Sequence, residues 1–251
     1  MTGYGVDVYA IGVAAAVFAG ISKGGFGSGA AFAGATILAL VIPPGAALGI
    51  MLPLLMLIDA ATLRPYWRQW IWPEAQLLLL GALPGVALGA ALYSVADPDL
   101  FRLLIGAIAL LFVSWRIGLH AGLFRAGDRA MPGWGGALAG VAAGFTSFVS
   151  HAGGPAVAVY LLSKRPGKTP FQATTVLVFT LINVAKLVPY AFLGIFSRET
   201  LWMGVWLAPF ALLGAWLGVR AHRRVPERAF FAITYVLLTV TGAKLVWDAL
   251  T

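Results

Sequence analysis

A glycine-rich segment near the N-terminus contains the first residues that could bind an anion. It reads GISKGGFGSG from Gly20 to Gly29 and lies between two apolar stretches. Glycines allow backbone N–H groups to approach a ligand, and a helix that starts after them offers unpaired donors and about half a positive charge. The candidate anion-binding residues are Ser22, Lys23, Gly24, Gly25, Gly27 and Ser28. The alternative is that these small residues pack two membrane helices closely together.

A second segment of the same kind lies in the other half of the chain. It reads SFVSHAGGP from Ser147 to Pro155. Proline favours the first turn of a helix, so a helix is expected to start at Pro155 with the preceding glycine N–H groups exposed. The candidate anion-binding residues here are Ser150, His151, Gly153 and Gly154. The alternative for His151 is a packed, hydrogen-bonded histidine.

A repeated helix supplies the remaining polar candidates. LIDAATLRPY begins at Leu57, and LINVAKLVPY begins 124 residues later with six of its ten positions identical. Asp59 and Asn183 occupy one position of this repeat, and Lys186 matches Thr62. A charge inside an apolar helix is costly, so we expect Asp59 and Lys186 to be paired or functional. Either they form an ion pair between the halves, or Lys186 and Asn183 bind an anion while Asp59 or His151 carries a coupling proton.

The elements that carry these residues are membrane helices. Hydrophobic residues make up 61% of the 251 residues, the charged fraction is 10%, and the mean hydropathy is +0.91. Since a spanning helix needs about 20 residues, the chain has room for little else. The expected fold is an all-α polytopic membrane protein that lies in the lipid bilayer. The expected segments are 6–21, 27–42, 45–63, 74–95 and 100–119, then 134–149, 155–163, 170–188, 198–219 and 228–249.

The repeat predicts two units, residues 1–122 and 123–251. Each unit would contain a glycine-rich pair of short or re-entrant helices followed by three transmembrane helices. Basic residues cluster in four loops, which the positive-inside rule places in the cytoplasm. With that orientation the loop after the first copy of the repeated helix is inside and the loop after the second copy is outside. We therefore expect an inverted repeat, which is typical of secondary transporters. The protein would lie in a cell (inner) membrane, with both termini on the non-cytoplasmic side.

Several function classes are disfavoured by the sequence. The net charge of +8 lies in short loops between apolar stretches, which does not indicate nucleic-acid binding. There is no cysteine, and no nucleotide-binding or hydrolase motif occurs. We expect no catalytic residue, no metal and no cofactor.

The motifs resemble those of the TauE/SafE sulfite-exporter family. They are Gly153-Gly154-Pro155 before a short helix, the run KTPFQAT from Lys168 to Thr174, and Asn183 with Lys186 on the next helix. The resemblance covers nearly the whole chain. It implies a membrane carrier for sulfur-containing anions such as sulfite, sulfonates or sulfoacetate.

The sequence therefore predicts a secondary anion transporter that alternates access to a site near the bilayer midplane, between the two glycine-rich segments. A passive anion channel is the first alternative, because pores also use charged side chains and helix dipoles. An intramembrane enzyme using Ser147 or Ser150 with His151 is less favoured, since adjacent side chains diverge on a helix. A scaffold without a substrate is equally disfavoured. The oligomeric state is not predicted.

Overall fold

The described part of the chain folds into helices joined by short turns and loops. A computed structural model describes residues 4–25, 30–123, 130–221 and 227–251, and within these ranges there is no strand. These ranges contain ten α-helices: α1 Val6–Gly25, α2 Ala33–Leu38, α3 Pro44–Leu63, α4 Trp72–Val95, α5 Pro98–His120, α6 Gly133–Ser150, α7 Gly154–Ser163, α8 Lys168–Phe192, α9 Arg198–Ala221 and α10 Glu227–Leu250. A short 3-10 helix, Arg64–Tyr66, follows α3. The expected all-α polytopic membrane protein is confirmed.

Proline and aspartate set several helix starts. Proline stands in the first turn of α3, α4, α5 and α7, where its missing N–H has no intrahelical partner to lose. Asp97 caps α5, because its side chain accepts a hydrogen bond of 2.7 Å from the Leu100 N–H. Most helix boundaries therefore fall within a few residues of those expected from the sequence.

Seven helices in the described residues are long and apolar enough to span a membrane. They are α1, α3, α4, α5, α8, α9 and α10. The pair α6 and α7 differs, since α7 has only 10 residues, or about 15 Å of rise. A short helix of this kind was expected from residue 155 to 163, and the structure confirms it.

The expected helix over 27–42 is too long. The observed α2 has six residues, Ala33–Leu38. After it the backbone tightens into i→i+3 hydrogen bonds, from Leu40 to Ile37 and from Val41 to Leu38. Pro43 disfavours helical geometry at Ile42, which is the physical reason that the helix does not continue to that residue.

The expected end of the first helix at residue 21, within the glycine-rich segment, is also wrong. Helix α1 runs through Gly25 without interruption. The glycines serve a close contact with α9, since a Cβ added at Gly24 would lie 2.3 Å from the Ala215 carbonyl oxygen. Tight packing of small residues, the alternative considered above, keeps this segment helical. Gly27 and Ser28 lie outside the described residues.

Helix packing exchanges partners between the two halves of the chain. Helix α1 packs along α9 in the same direction, with Gly20 against Ala211 and Gly25 against Gly218. Helix α6 packs along α4 in the same way, and a Cβ at Gly81 would lie 1.9 Å from the Ala137 carbonyl oxygen. The first helix of each half of the chain thus lies against the fourth helix of the other half.

Two further helix pairs run antiparallel. In α5 and α10, Gly106 lies against Gly242, and the Arg116 Nε donates a hydrogen bond of 2.8 Å to the Tyr235 hydroxyl. In α3 and α8, the end of one helix lies near the start of the other. The Ile71 N–H, in the loop after α3, donates a hydrogen bond of 2.9 Å to the Thr174 hydroxyl in the second turn of α8.

The centre of the bundle is formed by α3 and α8. Over the most apolar window of each spanning helix, 61% of α3 and 50% of α8 is buried, more than in any other described span. Away from this centre, α7 is tied to α4, because the Tyr160 hydroxyl donates to the Glu74 carboxylate and the Lys164 Nζ lies 3.5 Å from it. The two buried helices, α3 and α8, carry Asp59, Asn183 and Lys186.

Candidate functional site

The buried carboxylate of Asp59 forms the first of two polar centres. It lies near the end of α3 and is 1% exposed. One of its oxygens forms an ion pair with Lys23 in the last turn of α1. The other accepts a hydrogen bond of 2.7 Å from the Asn183 Nδ2 on α8. This centre therefore joins three helices, and its two opposite charges neutralise each other.

Lys186 on α8 forms the second centre and is fully buried. Its Nζ lies 3.0 Å from both the carbonyl oxygen and the hydroxyl of Ser147, and 2.8 Å from the His151 Nδ1. All three neighbouring atoms belong to uncharged groups if His151 is neutral. Within the described residues, no carboxylate lies within 4.0 Å of this amine. Lys186 is therefore surrounded by hydrogen-bonding atoms but lacks a counter-charge in contact with it.

The ring of His151 bridges α6 and α3. His151 follows the last residue of α6 and has a left-handed backbone with φ of 57°. Its Nε2 lies 3.3 Å from the Leu48 carbonyl oxygen. Because a carbonyl only accepts, Nε2 must carry the hydrogen, and Nδ1 is left as an acceptor facing Lys186. The neutral Nε2–H tautomer satisfies both contacts.

The two centres are neighbours on one face of α8. Asn183 and Lys186 are three residues apart, about 4.5 Å along the helix axis, so their side chains lie on the same face. Tyr190, one turn further, is fully buried and donates a hydrogen bond of 2.8 Å to the Phe148 carbonyl oxygen. Side chains from α1, α3, α6 and α8 thus form a polar cluster of two adjacent centres inside the bundle, where helices from both halves of the sequence meet.

The ion pair between Asp59 and Lys186 that the sequence left open is not formed. Asp59 pairs with Lys23 instead, and Lys186 turns to the end of α6. The physical reason is the arrangement of the neighbouring helices. Helix α1 brings its own cation to Asp59, while the carbonyl and hydroxyl of Ser147 and the ring of His151 fill the three positions around the Lys186 Nζ.

The structure brings together Lys23, Asp59, His151, Asn183 and Lys186 from the residues predicted from sequence. Gly153 and Gly154, also predicted, are buried at the start of α7, separated from His151 by Ala152 alone. Other predicted residues make contacts outside this cluster. Gly24 and Gly25 pack against α9, and the Ser150 hydroxyl donates to the Thr146 carbonyl oxygen of its own helix at 3.1 Å. Ser22 is buried in α1, one residue before Lys23.

Ser147 is a functional candidate that the sequence analysis did not assign to the anion site. Its carbonyl and hydroxyl both contact Lys186. The repeat contained a signal for Ser147, because this residue is the counterpart of Lys23. The two are 124 residues apart, as are the counterparts Asp59 and Asn183. The Leu48 carbonyl that holds His151 could not be found in this way, because a backbone oxygen has no signature in the sequence.

The fold and this site define a multi-pass membrane protein with a charged cluster buried at its centre. The sequence model of the family described as "Sulfite exporter TauE/SafE" matches residues 12–245. The chain therefore belongs to the TauE/SafE sulfite-exporter family, a family of membrane transporters. No curated protein and no solved structure matches the chain.

Proposed function

We propose that this protein is a secondary transporter of sulfur-containing anions, such as sulfite, sulfonates or sulfoacetate. The observation that carries the proposal is the fully buried Lys186 with no carboxylate within 4.0 Å of it among the described residues. A buried positive charge is costly unless it is paired. A transported anion that entered beside Lys186 would supply the missing negative charge.

The charges around the site support an anion as the substrate. Lys23 and Asp59 cancel, so with Lys186 protonated and His151 neutral the cluster carries one net positive charge. The start of α7 adds to this potential, since Gly154 directly follows the N-cap residue Gly153 and no side chain caps this end. We place the anion between Lys186, His151 and these glycines, with Asn183 at the edge of the site.

Alternating access would arise from an inverted repeat of the two halves, residues 1–122 and 123–251. The antiparallel packing of α5 on α10, and of α3 on α8, supports this arrangement, because each pair contains counterparts of the sequence repeat. Rocking of one half against the other would expose the site to each side in turn. We further propose a cell (inner) membrane with both termini outside the cytoplasm, from the positions of the basic loops.

A carrier agrees with the burial of the site better than a channel does. Asp59, Lys186 and His151 are at most 7% exposed, so the site is closed to solvent in this state. A carrier passes through such closed states, whereas a conducting pore needs a continuous path. The enzyme alternative has less support, since the Ser150 hydroxyl bonds to Thr146 rather than to the His151 ring.

Uptake into liposomes tests the proposal. Purified protein would be reconstituted and assayed for saturable uptake and counterflow of labelled sulfite, sulfate, taurine and sulfoacetate. We expect saturable counterflow of at least one of them, and a loss of about tenfold or more in apparent affinity for Lys186→Met, because removing one partner of a buried charge pair costs about 2–5 kcal/mol.

The matched control is Lys244→Met, which removes an exposed lysine paired with Asp248 near the end of helix α10. It should transport like the wild type. Flux that never saturates and shows no counterflow would indicate a channel. If folded wild-type protein moved none of the four compounds, the assignment to sulfur-containing anions would be wrong.

A further inference from the structure

The groups around Lys186 determine how this residue becomes charged, and its role rests on the proposed anion transport. Charged and titratable groups face this lysine from four helices. They are Lys23 on α1, Asp59 on α3, His151 at the end of α6 and Tyr190 on its own helix, with the Tyr190 ring centre 5.8 Å from the Nζ. The facing part of α4, from Leu79 to Val86, has no charged residue. The one carboxylate in this set already binds Lys23 and Asn183.

The contacts of Lys186 suit both the amine and the ammonium. An ammonium donates three hydrogen bonds, to the Ser147 carbonyl, the Ser147 hydroxyl and the His151 Nδ1. A neutral amine donates two, to the carbonyl and to Nδ1, while the Ser147 hydroxyl reverses and donates to the nitrogen lone pair. Neither state leaves a buried polar atom without a partner. The site can therefore gain or lose one proton without any rearrangement of the helices.

We propose that Lys186 takes up one proton together with each monovalent anion and releases both on the other side. The amine, a proton and the anion combine to give an ammonium beside the anion, and release reverses this step, so that no net charge crosses the membrane. The anion stabilises the ammonium because no other counter-ion is free to do so. The favoured substrate class is thus a monoanion, such as a hydrogensulfite or an alkyl sulfonate.

The two residues that the sequence suggested for proton coupling are less suitable. Protonation of Asp59 would remove the counter-charge of Lys23, which is buried in the same cluster. Protonation of His151 would need a hydrogen on Nδ1, 2.8 Å from the Lys186 Nζ, and would leave the lysine without that acceptor. Each change loses a contact that the protein has, whereas protonation of Lys186 loses none.

Proton movement with methanesulfonate tests the proposal in the wild-type protein. This probe remains a monoanion because sulfonic acids are strong acids, so it brings no proton of its own. We expect one proton to enter the liposome with each methanesulfonate, reported by a trapped pH-sensitive dye, and no response to an imposed membrane potential. Above the apparent pKa of the coupled proton, affinity should fall about tenfold for each unit that the pH rises.

Uptake of methanesulfonate without protons, or driven by the membrane potential, would overturn this inference and leave the proposed transport intact. Absence of saturable uptake of methanesulfonate and of all four compounds named above (sulfite, sulfate, taurine and sulfoacetate) by folded protein would overturn the transport function itself, and the inference with it. The two failures are therefore distinguishable in one set of measurements.

Three variants identify the residue that carries the coupled proton. Lys186→Arg carries a permanent charge, so we expect uptake that is independent of pH, carries no proton and responds to the membrane potential. Asp59→Asn and His151→Asn should keep proton-coupled uptake, whatever their rates; asparagine at position 151 also tolerates the left-handed backbone. Loss of proton coupling in either asparagine variant, with its retention in Lys186→Arg, would assign the proton to another residue than Lys186.

Discussion

The ion pair of Lys23 and Asp59 should stabilise the fold, and we expect either residue to destabilise it when the other is replaced. Asp59→Leu would leave a buried lysine without its counter-ion, and Lys23→Met would leave a buried carboxylate held by Asn183 alone. Breaking a buried pair from one side costs about 3–5 kcal/mol, because the remaining charge stays desolvated. Each single variant is expected to lose about that much stability.

The double variant Lys23→Met/Asp59→Leu should be more stable than either single variant. It leaves no buried charge in this centre, and its main defect is the Asn183 amide, which loses an acceptor at 2.7 Å. An unsatisfied buried amide costs about 1–3 kcal/mol. The expected coupling energy between the two positions is therefore at least about 3 kcal/mol.

Equilibrium unfolding in mixed micelles would measure this cycle. The control is the pair Lys244 and Asp248, which lies one helical turn apart on α10 with the lysine 59% exposed. Lys244→Met should lose less than about 1 kcal/mol, as exposed pairs do. If the double variant lost as much stability as the two single variants together, the two charges would not depend on each other, and the assignment of a structural pair would be wrong.

Two other contacts give predictions of stability. Gly81→Ala would place a Cβ 1.9 Å from the Ala137 carbonyl oxygen, and it should lower the free energy of unfolding by about 1–3 kcal/mol because α4 and α6 must separate. The control Gly133→Ala, whose Cβ would have its nearest neighbour at 3.5 Å, should change the free energy of unfolding by less than about 0.5 kcal/mol. Equal effects of the two alanines would contradict the close approach of these helices. Tyr160→Phe removes the hydroxyl that donates to Glu74 and should loosen α7, seen as faster amide hydrogen exchange in that helix than in the wild type. Unchanged exchange would show that the hydroxyl does not anchor α7.

Most of the secondary structure could be predicted because its causes are local. Runs of apolar residues long enough to span a bilayer, ended by proline or by charged residues, predict helices such as α4 and α9 within a few residues of their observed bounds. The prediction failed at Gly20 to Gly25, where a glycine-rich sequence is compatible both with a break and with a tightly packed helix. The contact of Gly24 with Ala215, nearly two hundred residues away, decides between them.

The polar residues of the site could also be found in the sequence, because a charge in an apolar helix is conspicuous wherever the chain folds. Asp59, Asn183 and Lys186 belong to the repeat, and His151 belongs to the glycine-rich segment before α7. Which of them meet depends on tertiary packing. Lys23 reaches Asp59 because α1 lies against α3, and Lys186 is left with Ser147 and His151 because α6 ends beside it. Composition and pattern specify membrane helices that carry buried charges. Only the packing of distant helices decides which lysine is neutralised by Asp59 and which one has no carboxylate within 4.0 Å among the described residues.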